Sequence, residues 1–265
     1  MDDHPTRSGV PGDGLLAVEA LSIRFGGVKA LEDVSFDVMR HQICGLIGPN
    51  GAGKTTLFNC LSGIYTPTQG DIVLDGKRLL DLPRHAMAAN GLGRTFQNVS
   101  LFPSMSVAEN VMVGGHCRFA SGFLADTLRL PSSRRRSEAV RAEAERLLGL
   151  LRLEQFRDTA VSDLPFGIQK RVEFARALAS DPKLLLLDEP AAGLNHAELD
   201  DLAQLIRRMR DEFGITILLV EHNVALVMAL SDKIVALDFG RKIAEGTPHE
   251  VRTNPAVIAA YLGEA

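Results

Sequence analysis

The sequence has no apolar run long enough to cross a bilayer. Its longest aliphatic stretches, residues 184–187 and 215–220, fall far short of the roughly 20 residues that a membrane helix needs, so any membrane link is expected through a partner. Net charge is also scarce. Against 33 Asp and Glu stand 29 Lys and Arg, and the formal charge of −4 gives no overall basic field to draw the chain onto nucleic acid or anionic lipid. Cys44, Cys60 and Cys117 show no Cys-x-x-Cys spacing, which argues against a zinc site or a disulfide framework and for reduced, mostly buried thiols. Residues 1–14, rich in Asp, Pro, Gly and Ser, lack the apolar stretch of a secretory signal and are expected to form a loose tail on a cytosolic protein. There is no internal repeat. What is present, 265 residues with 46% hydrophobic and 23% charged, suffices to bury a proper core.

Short β-rich runs at residues 16–23, 34–38 and 43–47 are separated by turn residues such as Gly26, Gly27 and His41, and predict strands feeding a central sheet. Ser106 with Glu109, and Thr247 with Pro248 and Glu250, read as capping boxes that start helices near Val107 and Pro248. A third helix starts after Asn195, lays Leu199, Leu202, Ile206, Met209 and Phe213 on one stripe, and stops at Gly214. Apolar strands at 184–187, 215–220 and 234–237 complete the alternation of strand and helix that builds a parallel sheet with helices on its faces. Between residues 98 and 180 the pattern turns helical, with a helix over 138–151. The run Arg134, Arg135, Arg136 before it reads as a solvated linker or helix start rather than a phosphate patch.

Gly48-Pro49-Asn50-Gly51-Ala52-Gly53-Lys54-Thr55 follows the apolar strand 43–47 and opens a helix over 55–61, the setting a phosphate loop requires. Each fixed position has a chemical reason. The glycines let backbone N–H groups wrap a phosphate, Lys54 brings charge to the β- and γ-phosphates, and Thr55 offers a hydroxyl to Mg²⁺. The helix that follows, with Thr56 in its first turn, aims its positive end at the anion. At the other end of the sheet pattern, the run 184–187 ends in Asp188 and Glu189, placing two carboxylates at the carboxyl edge of a buried strand, where ligands bind. Alternation along a strand points them different ways, so Asp188 is expected to serve Mg²⁺ while Glu189 orients or deprotonates the attacking water.

From residue 15 to 263 the order of these motifs resembles the ABC ATPases, a family of P-loop NTPases. The resemblance implies an α/β fold with a mainly parallel central sheet, an N-terminal antiparallel β subdomain and an inserted helical subdomain. It also implies one domain over 15–265, with a nucleotide-binding core at 15–97 and 181–246, a helical subdomain with the signature at 98–180, and a C-terminal helix at 247–265. Phe25 matches the aromatic that stacks on adenine in the family. Gln97, in Gly93-Arg94-Thr95-Phe96-Gln97, matches the glutamine that touches Mg²⁺ and the attacking water. His222 matches the switch histidine at the γ-phosphate.

Leu164-Pro165-Phe166-Gly167-Ile168 stands where the family usually has Leu-Ser-Gly-Gly-Gln, the element that closes over ATP held by the opposite subunit. Pro165 lacks the hydroxyl, and Asn195 stands where most relatives have Asp. These departures, with Glu221-His222 and the ending Asn254-Pro255-Ala256-Val257 to Tyr261-Leu262-Gly263, are similar to the ATP-binding subunits of branched-chain amino-acid importers, the Liv type. The resemblance implies a soluble ATPase at the cytoplasmic face of the membrane, paired head to tail with a second ATPase subunit, through which two membrane permease subunits and indirectly a solute-binding protein are served. The helical insert is expected to carry the membrane-partner contact. A non-transport ABC ATPase acting on nucleic acid or ribosomes is the alternative, and would commonly carry tandem ATPase domains or long coiled-coil arms. A simple P-loop kinase would leave the signature, Gln97 and His222 unexplained.

Overall fold

A computed structural model describes residues 13–95, 100–117 and 131–262. Residues 1–12 of the expected 1–14 tail and Gln97 lie outside the described residues, and Gly14 already belongs to the first strand. Strands β1 (Gly14–Phe25) and β2 (Val28–Met39) pair as an antiparallel hairpin whose turn is Gly26-Gly27, with Gly26 at φ 57°. Both outrun the predicted segments 16–23 and 34–38, because register shifts absorb the polar interruptions around Glu19 and Ala20. With β4 (Gln69–Leu74) and β5 (Lys77–Arg78) they make a four-stranded sheet in the order β2-β1-β4-β5.

The second sheet contains β3 (Ile43–Ile47), β6 (Leu92–Arg94), β7 (Leu184–Asp188), β8 (Thr216–Val220), β9 (Lys233–Asp238) and β10 (Arg241–Gly246). Its order is β10-β9-β3-β8-β7-β6, parallel throughout except for the antiparallel β10. The four central strands are apolar on both faces, as a covered parallel sheet requires. Along β7, Leu184 and Leu186 face the antiparallel sheet, joining Leu16, Val34 and Phe58, while Leu185 and Leu187 face the helices, joining Val172, Phe174 and Ile206.

Eight helices are described: α1 (Lys54–Leu61), α2 (Val107–Gly114), α3 (Pro131–Leu150), α4 (Phe166–Ala179), α5 (His196–Phe213), α6 (Val224–Leu230), α7 (Pro248–Thr253) and α8 (Pro255–Leu262). Both predicted capping boxes form, and the expected N-cap Asn195 completes a third with Glu198. Ser106, Asn195 and Thr247 accept from the N–H groups of Glu109, Glu198 and Glu250, whose carboxylates return to the cap amides at 2.8, 2.9 and 2.8 Å. Gly214 ends α5 at φ 64°. Helix α3 starts earlier than predicted and takes residues 134–136 into its first turns. A single C-terminal helix is not what the chain builds. Asn254 turns extended at φ −71°, ψ 123°, and Pro255, which cannot continue a helix, begins a new one. The expected α/β architecture, with its antiparallel sheet and a helical segment between β6 and β7, is otherwise what forms.

Two contacts fix the layers. Gly45 in β3 leaves no room for a side chain, since a Cβ there would lie 2.3 Å from Val227 Cγ1 and 2.6 Å from Ser231 Oγ, so α6 rests directly on the strand backbone. Arg40, just past β2, and Lys183, just before β7, both pair with Asp75 in the β4–β5 turn and tie the two sheets together. Lys183 first, then Arg40, holds the Asp75 carboxyl down to about 2 from an ordinary 3.8. A carboxyl depressed in this way adds stability that is complete above about pH 4 and fades as pH falls toward about 2. Asp75→Asn is therefore expected to lower Tm by about 1–3 °C at pH 7, a small effect because the cluster is solvent-screened. Thermal melts should show the difference shrinking below about pH 4.

Candidate functional site

The carboxyl edge of the parallel sheet gathers the chemistry-bearing residues. The loop from Gly48 to Thr55 leaves β3 and enters α1, and three of its glycines have positive φ: 152° at Gly48, 77° at Gly51 and 102° at Gly53. Neighbours forbid a side chain at two of these. A Cβ on Gly48 would sit 2.2 Å from the Leu237 carbonyl, and one on Gly53 would sit 2.8 Å from the Ala30 carbonyl. Ala52 is buried against the core, while Asn50, Gly51 and Thr55 are exposed. Pro49 accepts from the Ala52 N–H at 3.2 Å, closing the turn. Lys54 is buried, and its Nζ donates to the carbonyls of Gly48 at 2.6 Å and Pro49 at 2.8 Å, so its charge sits within the loop. Thr56 follows in the first turn of α1.

Asp188 and Glu189 diverge as expected, for a different reason than strand alternation. Strand β7 ends at Asp188, and Glu189 takes the left-handed φ of 49°, which turns its side chain toward the loop carrying His222. Asp188 Oδ2 accepts from Arg94 Nη2 at 2.8 Å, both groups being buried. Glu189 Oε1 lies 2.7 Å from His222 Nε2, with the imidazole half-exposed.

Two residues central to this geometry were not among the predicted site residues. Arg94 reaches from β6 to the end of α1, donating to Ser62 Oγ at 2.7 Å and Asn59 Oδ1 at 3.0 Å, and thereby joins the phosphate-loop helix to Asp188. Its guanidinium also caps the negative end of α1 through the Phe58 carbonyl at 3.3 Å. Glu221, buried at the end of β8, accepts from the N–H groups of Ala191 at 2.5 Å and His222 at 3.1 Å, binding the loop after Glu189 to the His222 turn. Burial pushes its carboxyl up, against the backbone hydrogen bonds that pull it down. The available signals were a charged residue inside an edge strand and an acid directly continuing a buried apolar strand.

Pro165 sits at the N-cap of α4, which leaves the first-turn amides of Phe166 and Gly167 without intrahelical acceptors. The half-exposed Phe166 ring covers Gly193, where a Cβ would lie 3.1 Å from its edge, and Lys170 Nζ lies 5.7 Å from its centroid. Gly167 faces Glu198 of α5 so closely that a Cβ would lie 2.7 Å from Oε1. Behind this contact a cavity of about 380 Å³, lined by Leu150, Gly167, Phe174, Leu202 and Leu205 among others, separates α4 from α5. Phe25 is also half-exposed, on the hairpin that flanks α1, with the Tyr65 ring edge-on at 5.0 Å.

Thr55 and Asp188 offer hard oxygen donors, the kind Mg²⁺ prefers. Among the described residues no group of three or more His, Cys, Asp or Glu could hold a metal alone.

Comparison with known proteins agrees with this geometry. The ABC transporter family model matches residues 31–192, and a model described as branched-chain amino acid ATP-binding cassette transporter matches residues 241–265. The high-affinity branched-chain amino acid transport ATP-binding protein BraF of Pseudomonas aeruginosa is 46% identical over 95% of this chain and 98% of its own length. LivG of Escherichia coli, of the same description, is 45% identical over the same shares. The crystal structure of the ADP conformation of an ATP-binding cassette of an ABC transporter superposes with a TM-score of 0.82 at 30% identity, covering 94% of this chain and 99% of that one. The chain belongs to the ABC transporter family, as one of its ATP-binding and ATP-hydrolysing subunits.

Proposed function

We propose that the chain drives uptake of branched-chain amino acids or related small solutes through separate membrane subunits. The observation that carries this reading is the convergence of the Lys54 loop, Asp188 and the Glu189–His222 pair on one sheet edge, in a chain with near full-length similarity to BraF and LivG. ATP lies with its phosphates in the loop from Gly48 to Thr56 and its base against Phe25. Thr55, Asp188 and Gln97 would hold Mg²⁺, which would supply neutralising charge at the phosphates. Glu189, fixed by His222, orients a water and takes its proton as the water oxygen bonds to the γ-phosphorus. The bond to the bridging oxygen breaks, and ADP and phosphate leave.

Pro165, Phe166 and Gly167 close over the nucleotide of a second ATPase subunit, whether a sister chain or a copy of this one, through the amides and positive end of α4. The segment over 98–180 transmits the motion to two permease subunits, which place the chain at the cytoplasmic face of the membrane. An extracytoplasmic binding protein supplies the solute. The experiment is reconstitution of the complex in liposomes with labelled leucine. ATP-dependent uptake that requires this chain is expected. Uptake of another solute alone would reassign the cargo, and no ATP-dependent uptake of any solute would overturn the importer reading. In the same system Gly167→Asp should reduce stimulated hydrolysis at least about tenfold, because its carboxylate opposes both Glu198 and the partner's phosphate. ATP affinity of the lone subunit should stay within about twofold, since its own loop is untouched, and Pro165→Ala should be mild.

A further inference from the structure

The phosphate loop is held from behind as well as from within. Strand β3 ends at Ile47, so the N–H of Gly48 has no ladder partner on β9, where the pairing stops at Ile47 and Ala236. Instead it donates to the hydroxyl oxygen of Tyr261 at 2.9 Å, across 213 residues of sequence. Only glycine fits at this position, since a Cβ would meet the Leu237 carbonyl at 2.2 Å and the Ala52 side chain at 3.0 Å. Tyr261 is fixed in turn by the helix that bears it. Val257 is buried, Tyr261 itself packs on the core, and Pro255 starts α8 with Asn254 accepting from the Ala256 N–H at 2.9 Å. Helix α8 contacts α7 and β10 and lies inside the C-terminal stretch that matches the branched-chain model.

We propose that Tyr261 is a positioning residue for ATP binding: its hydroxyl, carried by the C-terminal helix, sets the backbone of Gly48 and with it the phosphate loop in the shape that receives the nucleotide. The inference rests on the proposed nucleotide site and adds a residue to it from the far end of the chain. Tyr261 meets the loop at the amide of Gly48, and it acts through that amide. A loop whose amides must converge on an anion binds more weakly when its first residue can drift, because ordering it again opposes binding. Losing one neutral hydrogen bond to a part-buried amide corresponds to roughly a five- to tenfold change in an equilibrium constant.

The test uses the full chain and a fluorescent ATP analogue with Mg²⁺. Tyr261→Phe removes the hydroxyl and keeps the ring, so Tm should move by no more than about 2 °C while Kd for the nucleotide rises about five- to tenfold. In the assembled transporter KM for ATP should rise similarly, with kcat at saturation within about twofold. Val257→Ala, on the same helix, is the control: it should lower Tm and leave Kd within about twofold. A Kd for Tyr261→Phe within twofold of the parent would overturn the proposal. So would an equal loss in Val257→Ala, which would assign the effect to helix docking. A parent chain that bound no nucleotide would fail the nucleotide-site reading instead.

Discussion

Lys54→Ala is expected to weaken MgATP binding by about a hundredfold or more, measured by titration of the isolated chain. A hydrogen bond from a charged donor contributes about 1.5–3 kcal/mol, and Lys54 can make more than one to the nucleotide. The geometry adds a second loss. Its Nζ now donates to the carbonyls of Gly48 and Pro49, so the same ammonium that meets phosphate also holds the loop that presents the amides. Truncation removes the charge and loosens the loop together. Thermal stability should change less than affinity does, since the apolar clusters on both faces of the sheet are untouched. Binding by the Lys54→Ala variant within tenfold of the parent would mean that nucleotide phosphates do not sit in this loop.

Glu189→Gln should do the reverse, keeping ATP affinity within about threefold while lowering kcat in the assembled complex by about a hundredfold or more. The amide fills the same space and can still accept a hydrogen bond from His222 Nε2, now 2.7 Å from the carboxylate, but it cannot take a proton from water. The left-handed φ of 49° at this position also matters, because in that conformation the side chain meets His222. Gln tolerates it about as Glu does, so the loss should be chemical rather than structural. Unchanged hydrolysis would remove Glu189 from the catalytic role.

Residues whose function imposes a local pattern were legible in the sequence. The phosphate loop could be read because its glycines, lysine and threonine have fixed spacing, and the capping boxes at Ser106 and Thr247 because each is complete within four residues. The apolar strands β3, β7, β8 and β9 announced themselves by being buried on both faces. Strands β4, β5, β6 and β10 were missed: β5 and most of β10 are polar and at least partly exposed, β6 spans only three residues, and only the second half of β4 is apolar. In β4, Gly70 at φ 91° breaks any alternation by lying against the carbonyls of Glu19 and Ala20. Arg94 and Glu221 were quoted within motifs but given no role, since each acts through partners 94 or 30 residues away that only the fold brings near. The split of the C-terminal helix was readable in principle, from the proline that follows Asn254.

The contact at Gly45 has a mechanical consequence. Strand β3 carries the phosphate loop and α6 continues the His222 turn, and with no side chain between strand and helix there is no compliant layer to let one slide over the other. Those parts of the site therefore travel as a single block. Helices α4 and α5 meet differently, at Gly167 through the end of Glu198 and through Arg171, which pairs with Asp201 at 2.8 Å, beside a cavity of about 380 Å³. A displacement of the first turn of α4 would be taken up at that seam before it reached the block of β3 and α6, so the two parts of the chain are mechanically distinct.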